Sequence, residues 1–123
     1  MSKVYILAAK RTAIGTFNGS LQNISAVDLG VTVVKDILKE TLVKPEAVNE
    51  LILGNVLSAG LGQNISRQIA LKAGLPETVP AYSINKVCGS GMKTLQLAFN
   101  EIALGNADVI IAGGTENMNQ APY

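Results

Sequence analysis

Apolar residues in this chain occur either in short continuous runs or at helical spacing. Continuous runs with β-branched or aromatic residues are typical of parallel strands that are covered on both faces. The runs lie at residues 4–9, 51–53, 81–84 and 109–114. The pattern therefore predicts four short strands.

Segments with helical spacing separate these runs. Ser25 with Asp28 predicts the start of a helix that extends to about residue 42, because a capping serine and an early acid stabilise a helix N-terminus. Asn64 is the predicted N-cap of a second helix over residues 65–73, which Gly74 ends. A third helix is predicted over residues 89–104. Its apolar side, which we expect to be core, carries Met92, Leu95, Phe99 and Ile102.

Strands that alternate with helices predict an α/β fold with a mostly parallel sheet and βαβ crossovers. At 123 residues the chain is one domain at most. In open α/β sheets, chemistry gathers beyond the carboxyl ends of the strands. The segment that follows the third strand is therefore the first place to look for a site.

Composition narrows the choice of function. The net charge is +1, tryptophan is absent and no basic block occurs, so the sequence does not favour nucleic-acid binding. No apolar run approaches the length of a membrane span, and the run at residues 4–9 is too short for a signal peptide. A single cysteine excludes an internal disulfide. We expect a soluble cytoplasmic protein with neither nucleic-acid nor membrane partners.

The single cysteine, Cys88, lies between the third strand and the third helix. Gly89 and Gly91 follow it and are expected to permit a sharp turn. The positive end of the helix favours a thiolate, and Lys86 and Lys93 act in the same direction if they lie nearby. The pattern predicts an activated cysteine at a strand-to-helix elbow. The alternative is a small buried cysteine with a structural role only.

The chain contains no histidine. Cysteine nucleophiles usually take their base from a histidine, so no Cys/His pair can form within these residues. If Cys88 is catalytic, the rest of its site must come from other polypeptide.

Two glycine-containing segments do not match nucleotide-binding loops. Residues 60–64 lack the third glycine of the dinucleotide motif, and residues 89–94 lack the spacing of a phosphate-binding P-loop. The pair Lys10-Arg11 could contact an anion, but a solvated loop is the favoured interpretation.

Several linked motifs resemble the thiolase family, in order and in spacing, from one end of the chain to the other. The nearest subgroup is the acetyl-CoA acetyltransferases. The motifs are Val87-Cys88-Gly89-Ser90-Gly91, Gly54-Asn55-Val56-Leu57, Gly60-Leu61-Gly62-Gln63-Asn64, Arg67-Gln68, Ala9-Lys10-Arg11-Thr12, Gly105-Asn106-Ala107 and Ala112-Gly113-Gly114-Thr115-Glu116-Asn117-Met118.

The resemblance implies a reaction and a role for Cys88. Cys88 would accept an acetyl group from acetyl-CoA, and a second acetyl-CoA would then attack as an enolate to give acetoacetyl-CoA, reversibly. The backbone N–H of Cys88 would help to hold the thioester oxygen. The substrates would be coenzyme A thioesters, with no further cofactor and no metal.

The resemblance also implies that residues 1–123 are a partial N-terminal domain. A projecting loop region and a C-terminal domain, which carries the catalytic histidine and a second cysteine, would be absent. We therefore expect the chain alone to be inactive, and to self-associate or to bind a complementary C-terminal portion. In family dimers the segment at residues 82–86 would pair with its counterpart.

Two alternatives stay open at this point. One is part of a condensing enzyme of the ketoacyl-synthase type, which shares the cysteine elbow. The other is a non-catalytic fragment that acts as an assembly partner of another polypeptide.

Overall fold

The computed structural model describes residues 3–123. It contains three helices, three strands and two short 3₁₀ turns. In chain order they are α1 (Ala26–Thr41), a 3₁₀ turn (Pro45–Ala47), β1 (Glu50–Gly54), α2 (Ile65–Lys72), β2 (Ala81–Ile84), α3 (Ser90–Ala103), β3 (Ile110–Gly114) and a 3₁₀ turn (Met118–Gln120).

The helix termini follow the predicted capping residues. The Ser25 hydroxyl accepts a hydrogen bond from the Asp28 N–H at the start of α1, and Leu42 ends that helix in a left-handed conformation. The Asn64 side chain accepts from the Arg67 N–H at the start of α2. Both predicted N-caps are therefore confirmed.

The three strands form one parallel sheet in the order β2-β1-β3. Leu51, in the central strand, pairs with Ala81 on one side and with Ile111 on the other. The carboxyl ends of all three strands therefore meet at one edge. The predicted α/β class with a parallel sheet is confirmed.

Both faces of the sheet are covered, which explains the continuous apolar runs. Leu51, Leu53 and Ile111 face a core that they share with buried residues of α1 and α2. Ile52 points the other way, and α3 packs on that face against β1 and β3.

The buried side of α3 differs from the predicted one. Met92, Leu95 and Phe99 are 75%, 49% and 48% exposed, whereas Ser90, Thr94 and Ala98 are buried. The expectation that the large apolar residues form core is wrong for these three positions. Small residues occupy the buried side because α3 approaches the sheet closely, as the geometry of its first turn shows below.

The first predicted strand does not form. Residues 4–9 are extended but belong to no sheet, and Tyr5, Ile6 and Leu7 are 72%, 80% and 66% exposed. Among residues 3–123, no strand donates to this segment or accepts from it. The apolar run was correctly predicted to be extended, but a strand also requires a neighbouring strand, and none lies beside it.

Lys10, which was predicted to lie in a solvated loop, forms ion pairs with two carboxylates of α1. Its ammonium group lies 3.5 Å from an Asp36 carboxylate oxygen and forms a second ion pair with Glu40. The hydrogen bond and charge of Glu40 raise the pKa of Lys10. This end of the extended segment is therefore tethered to α1.

None of the helices in the described part of the chain is long and apolar enough to span a bilayer.

Three ionisable residues lie close together near the amino-terminal ends of β1 and β2. Burial, and then the charge of Glu101, raise the pKa of Glu50. Burial, and then the charges of Glu50 and Glu101, raise the pKa of Tyr82. Ionised Glu50 is therefore unfavourable in the folded state.

We expect Glu50→Gln to raise the free energy of unfolding at neutral pH. When the pKa of a carboxyl is higher in the folded state than in the unfolded state, ionisation of that carboxyl destabilises the fold. The fold is therefore unaffected by this group at a pH below the unfolded-state pKa, where the carboxyl is protonated in both states. It loses stability as the pH rises through the folded-state pKa. The advantage of Glu50→Gln should therefore disappear on acidification to about pH 4. Urea denaturation at both pH values measures it.

Glu46→Gln is the matched control, because Glu46 is exposed on the 3₁₀ turn just before β1. If Glu50→Gln increased the free energy of unfolding by the same amount at both pH values, the raised pKa of Glu50 would be contradicted.

Candidate active site

Cys88 lies on the connection between β2, which ends at Ile84, and α3, which begins at Ser90. Its thiol is free and the residue is exposed. The parallel sheet places this connection at the carboxyl ends of the strands. The structure thus places Cys88 at the predicted elbow, and not in the apolar interior.

The sharp turn of the elbow is made by Val87. Its φ angle is +49°, whereas Gly89 has φ of −92° and Gly91 lies within α3. A positive φ is a strained conformation for a β-branched residue. The expectation that the two glycines make the turn is therefore wrong, and the strain lies one residue before the cysteine.

Hydrogen bonds from two side chains hold Val87 in this conformation. The buried Ser90 hydroxyl accepts from the Lys86 N–H at 2.7 Å and donates to the Val87 carbonyl at 2.7 Å. The Asn85 side chain accepts from the Val87 N–H at 2.9 Å. The backbone on both sides of Val87 is therefore tied, which is how a strained conformation persists.

The first turn of α3 rests directly on the sheet at Gly54. A Cβ atom built on Gly54 would lie 2.7 Å from the Cβ of Ser90 and 2.9 Å from the Gly91 nitrogen. On the adjacent strand, a Cβ on Gly114 would lie 3.5 Å from the Gly91 Cα. Glycine at position 54 is therefore what allows the helix N-terminus to reach the strand ends.

Thr94 fixes α3 one turn further along. Its fully buried hydroxyl lies 2.6 Å from the Gly91 carbonyl oxygen and 3.1 Å from that of Gly113 in β3. The helix that follows Cys88 is thus bonded to the sheet as well as packed on it.

Two lysines, Lys86 and Lys93, lie close to Cys88 in sequence. The Lys93 ammonium donates to Gln96 at 3.1 Å, and within residues 3–123 neither Lys93 nor Lys86 hydrogen-bonds to the sulfur. The Cys88 N–H likewise has no acceptor in this part of the chain. It is therefore free to donate to another molecule.

In residues 3–123, no group of three or more His, Cys, Asp or Glu side chains is placed to hold a metal ion.

A polar cluster beside the elbow was not recognised in the sequence as a unit. The Glu116 carboxylate, which follows β3, accepts from the backbone N–H groups of Val56 and Leu57 at 2.9 and 2.8 Å. The buried Asn55 amide donates to Glu116 and to the Thr115 carbonyl. These bonds join the loops after β1 and β3, and the two motifs that contain them gave no hint of this pairing.

The loop at residues 60–64 is held by protein groups. The Gln68 amide donates to the carbonyls of Leu61 and Gln63 at 2.8 and 2.9 Å. Arg67 donates to the carbonyls of Val79 and Glu77, which precede β2. These motif residues position the connection that leads into β2 and the elbow.

Comparison with known proteins identifies the family. The sequence model of the family described as "Thiolase, N-terminal domain" matches residues 4–123. The chain therefore belongs to the thiolase family. The identification made from the motifs is confirmed.

Similar proteins carry related names and are longer. A "Probable acetyl-CoA acyltransferase" of Staphylococcus aureus (strain MRSA252) is 53% identical over 122 residues, which are 99% of this chain and 31% of that protein. This chain thus spans about a third of the length of such curated relatives.

Two solved structures are also similar. The Acat5 thiolase from Ascaris suum, in complex with coenzyme A, has a TM-score of 0.94 and 46% identity, covering 96% of this chain and 31% of that one. The Bacillus anthracis acetyl-CoA acetyltransferase has a TM-score of 0.92 and 42% identity, covering 96% and 30%.

We expect Gly54→Ala to destabilise the fold by about 1–3 kcal/mol, because the new methyl group overlaps the first turn of α3. Gly113→Ala in β3 is the matched control, since its Cβ meets only Leu53 at an ordinary 3.6 Å. Urea denaturation of both variants measures the difference. Equal stability of the two variants would contradict the close approach.

We expect Ser90→Ala to cost about 1–3 kcal/mol, because it leaves the Lys86 N–H and the Val87 carbonyl without a partner. Hydrogen exchange of the Lys86 amide should also accelerate. Ser58→Ala, at an exposed loop position, should change neither quantity. An unchanged exchange rate of the Lys86 amide in Ser90→Ala would contradict the hydrogen bond between this amide and the Ser90 hydroxyl.

Proposed function

We propose that this chain supplies the nucleophilic cysteine of a thiolase. Cys88 accepts an acyl group from a coenzyme A thioester, and the acyl group then passes to a second thioester to form a new carbon–carbon bond. The observation that carries this proposal is an exposed cysteine on a strained elbow at the start of a helix.

In the first step the Cys88 thiolate attacks the thioester carbonyl carbon. The carbonyl π electrons move to oxygen, and their return expels the coenzyme A thiolate, which takes up a proton. The Cys88 N–H donates to the oxygen while it carries negative charge, as an oxyanion hole does. The product is an S-acetyl cysteine and free coenzyme A.

In the second step, loss of a proton from the methyl group of another acetyl-CoA gives an enolate. Its carbon attacks the acetyl carbon on Cys88, and the cysteine leaves as a thiolate. Acetoacetyl-CoA is released and the original cysteine is restored. Run in reverse, the same steps describe thiolytic cleavage.

The proton transfers require a base, and residues 1–123 contain no histidine, the usual base beside a cysteine nucleophile. We infer that the base comes from thiolase polypeptide outside residues 1–123. The length of the relatives supports this inference, because this chain spans only 31% of the Staphylococcus protein. The coenzyme A found in the Ascaris suum structure supports the substrate class.

A non-catalytic role as an assembly partner is the competing proposal, and chemistry at Cys88 separates the two. We expect intact-mass analysis after exposure to acetyl-CoA to show one acetyl group, mapped by peptide analysis to Cys88. The Cys88→Ser variant should remain unmodified. The chain alone should form no acetoacetyl-CoA over repeated turnovers.

Acetylation that persists in Cys88→Ser would contradict the assignment of the nucleophile. No acetylation of the wild-type chain, either alone or with the remainder of a thiolase supplied, would favour the assembly role. Sustained production of acetoacetyl-CoA by the chain alone would refute the requirement for an external base.

A further inference from the structure

The Glu116 carboxylate is bonded by neutral groups only. Its two oxygens accept from the N–H groups of the consecutive residues Val56 and Leu57 and, at 3.2 Å, from the Asn55 side-chain amide. Both ion pairs found in residues 3–123 involve Lys10, so no cation in this part of the chain pairs with Glu116. The negative charge of this half-buried side chain is therefore balanced by N–H dipoles of the loop after β1.

This arrangement uses both oxygens of the carboxylate. Val56 donates to Oε2 of Glu116, whereas Leu57 and the Asn55 amide donate to Oε1. A glutamine side chain has the same length but only one acceptor oxygen, and its amide nitrogen would face an N–H group. The position of the loop after β1 therefore depends on a carboxylate, and not only on a polar side chain of the right length.

The end of β1 that Glu116 holds contacts both sides of the elbow. The Asn55 N–H donates to the carbonyl of Ile84, the last residue of β2, at 3.0 Å. Gly54, one residue earlier, supports the first turn of α3, and its carbonyl accepts from the Thr115 N–H at 3.0 Å. The strand that enters the elbow and the helix that leaves it are thus both fixed to the same two residues of the central strand.

The Asn55 side chain links these contacts to Glu116. Its nitrogen donates to two oxygens, the Thr115 carbonyl and Glu116 Oε1, which fixes the orientation of the amide. Its buried oxygen accepts from no protein group in residues 3–123. All protein hydrogen bonds of this side chain are therefore directed at the loop after β3, while the backbone of Asn55 is bonded to β2.

We propose that Glu116 is a positioning residue for Cys88. By fixing the loop after β1, it holds Gly54 and Asn55 against the two sides of the elbow, and so sets the space in which the chain passes from β2 into α3. The short connection then keeps Val87 in its left-handed conformation and Cys88 beside the helix N-terminus. The proposal rests on the proposed function, in which Cys88 is the nucleophile, and Glu116 acts without a hydrogen bond to that residue.

The test is Glu116→Gln in the whole chain, and its first readout is hydrogen exchange. The amides of Val56 and Leu57 should exchange faster, because an acceptor oxygen is lost. We expect the Lys86 amide, which bonds to Ser90 inside the elbow, to exchange at least about tenfold faster as well. A role confined to joining the two loops would leave the Lys86 amide unchanged.

The second readout is the pH profile of Cys88 alkylation by iodoacetamide. At neutral pH we expect Glu116→Gln to lower the rate at least about threefold, because a sulfur displaced from the helix N-terminus is less favoured as a thiolate. The decrease should disappear at about pH 9.5, where an ordinary thiol is largely ionised. Neither readout uses acetyl-CoA, so the outcome is independent of whether the proposed acyl transfer occurs.

Ile69→Val is the matched control. Ile69 is fully buried in α2, so the substitution lowers stability without touching either loop. It should leave both the Lys86 exchange rate and the alkylation rate within about twofold of wild type. Circular dichroism should show both variants folded. If Glu116→Gln unfolds, Glu116→Asp, which keeps both oxygens but is one methylene shorter, should show the same changes at smaller size.

Unchanged exchange of the Lys86 amide, or unchanged alkylation of Cys88, in the folded Glu116 variant would overturn the proposal. Equal changes in Ile69→Val would also overturn it, because they would then follow from lost stability alone. A decrease in alkylation that is the same at both pH values would do so too, since the sulfur would then be shielded and not displaced from the helix N-terminus.

Discussion

The contact between the first turn of α3 and Gly54 is the constraint on which the rest of the site depends. With Ser90 held against the end of β1, the chain has only five residues in which to leave β2 and enter the helix. This short connection requires a reversal, and Val87 makes it in a left-handed conformation. Cys88 follows directly and lies exposed beside the helix N-terminus. Packing at a glycine thus determines where the sulfur is presented.

The same constraint explains the composition of α3. A helix that lies this close to a sheet can bury only small side chains on its inner side, and Ser90, Thr94 and Ala98 occupy it. The larger apolar residues are consequently displaced to the opposite side, where they line an apolar cleft. The exposed apolar side of α3 is therefore a consequence of how closely this helix approaches the sheet.

Periodicity and capping residues were sufficient to predict α1, α2, α3 and three strands, because each depends on local sequence. The strand at residues 4–9 could not be judged in the same way, since an extended apolar segment becomes a strand only beside a partner. For α3 the helix was predicted correctly and its buried side was not. Helical spacing identifies the large apolar residues, but it carries no information about the distance to the sheet.

The site was predicted to the same extent. The sequence predicted Cys88 at an elbow before α3, because the single cysteine lies between a predicted strand and a glycine-rich helix start. The hydrogen bonds of the Ser90 hydroxyl and the polar cluster around Glu116 could not be predicted. Each joins groups through three-dimensional contacts that residue spacing does not encode. The strain at Val87 was likewise hidden, since valine rarely adopts a left-handed conformation and gives no signal for one.

The central claim is that the folded elbow, and not cysteine alone, makes Cys88 reactive. The chain has a single cysteine, so the rate of alkylation by iodoacetamide reports on that sulfur only. The decisive measurement compares this rate in the folded chain with the rate in the same chain unfolded in urea, after correction for the effect of urea on a free thiol. The account predicts faster alkylation in the folded chain, and an equal or slower rate would contradict it.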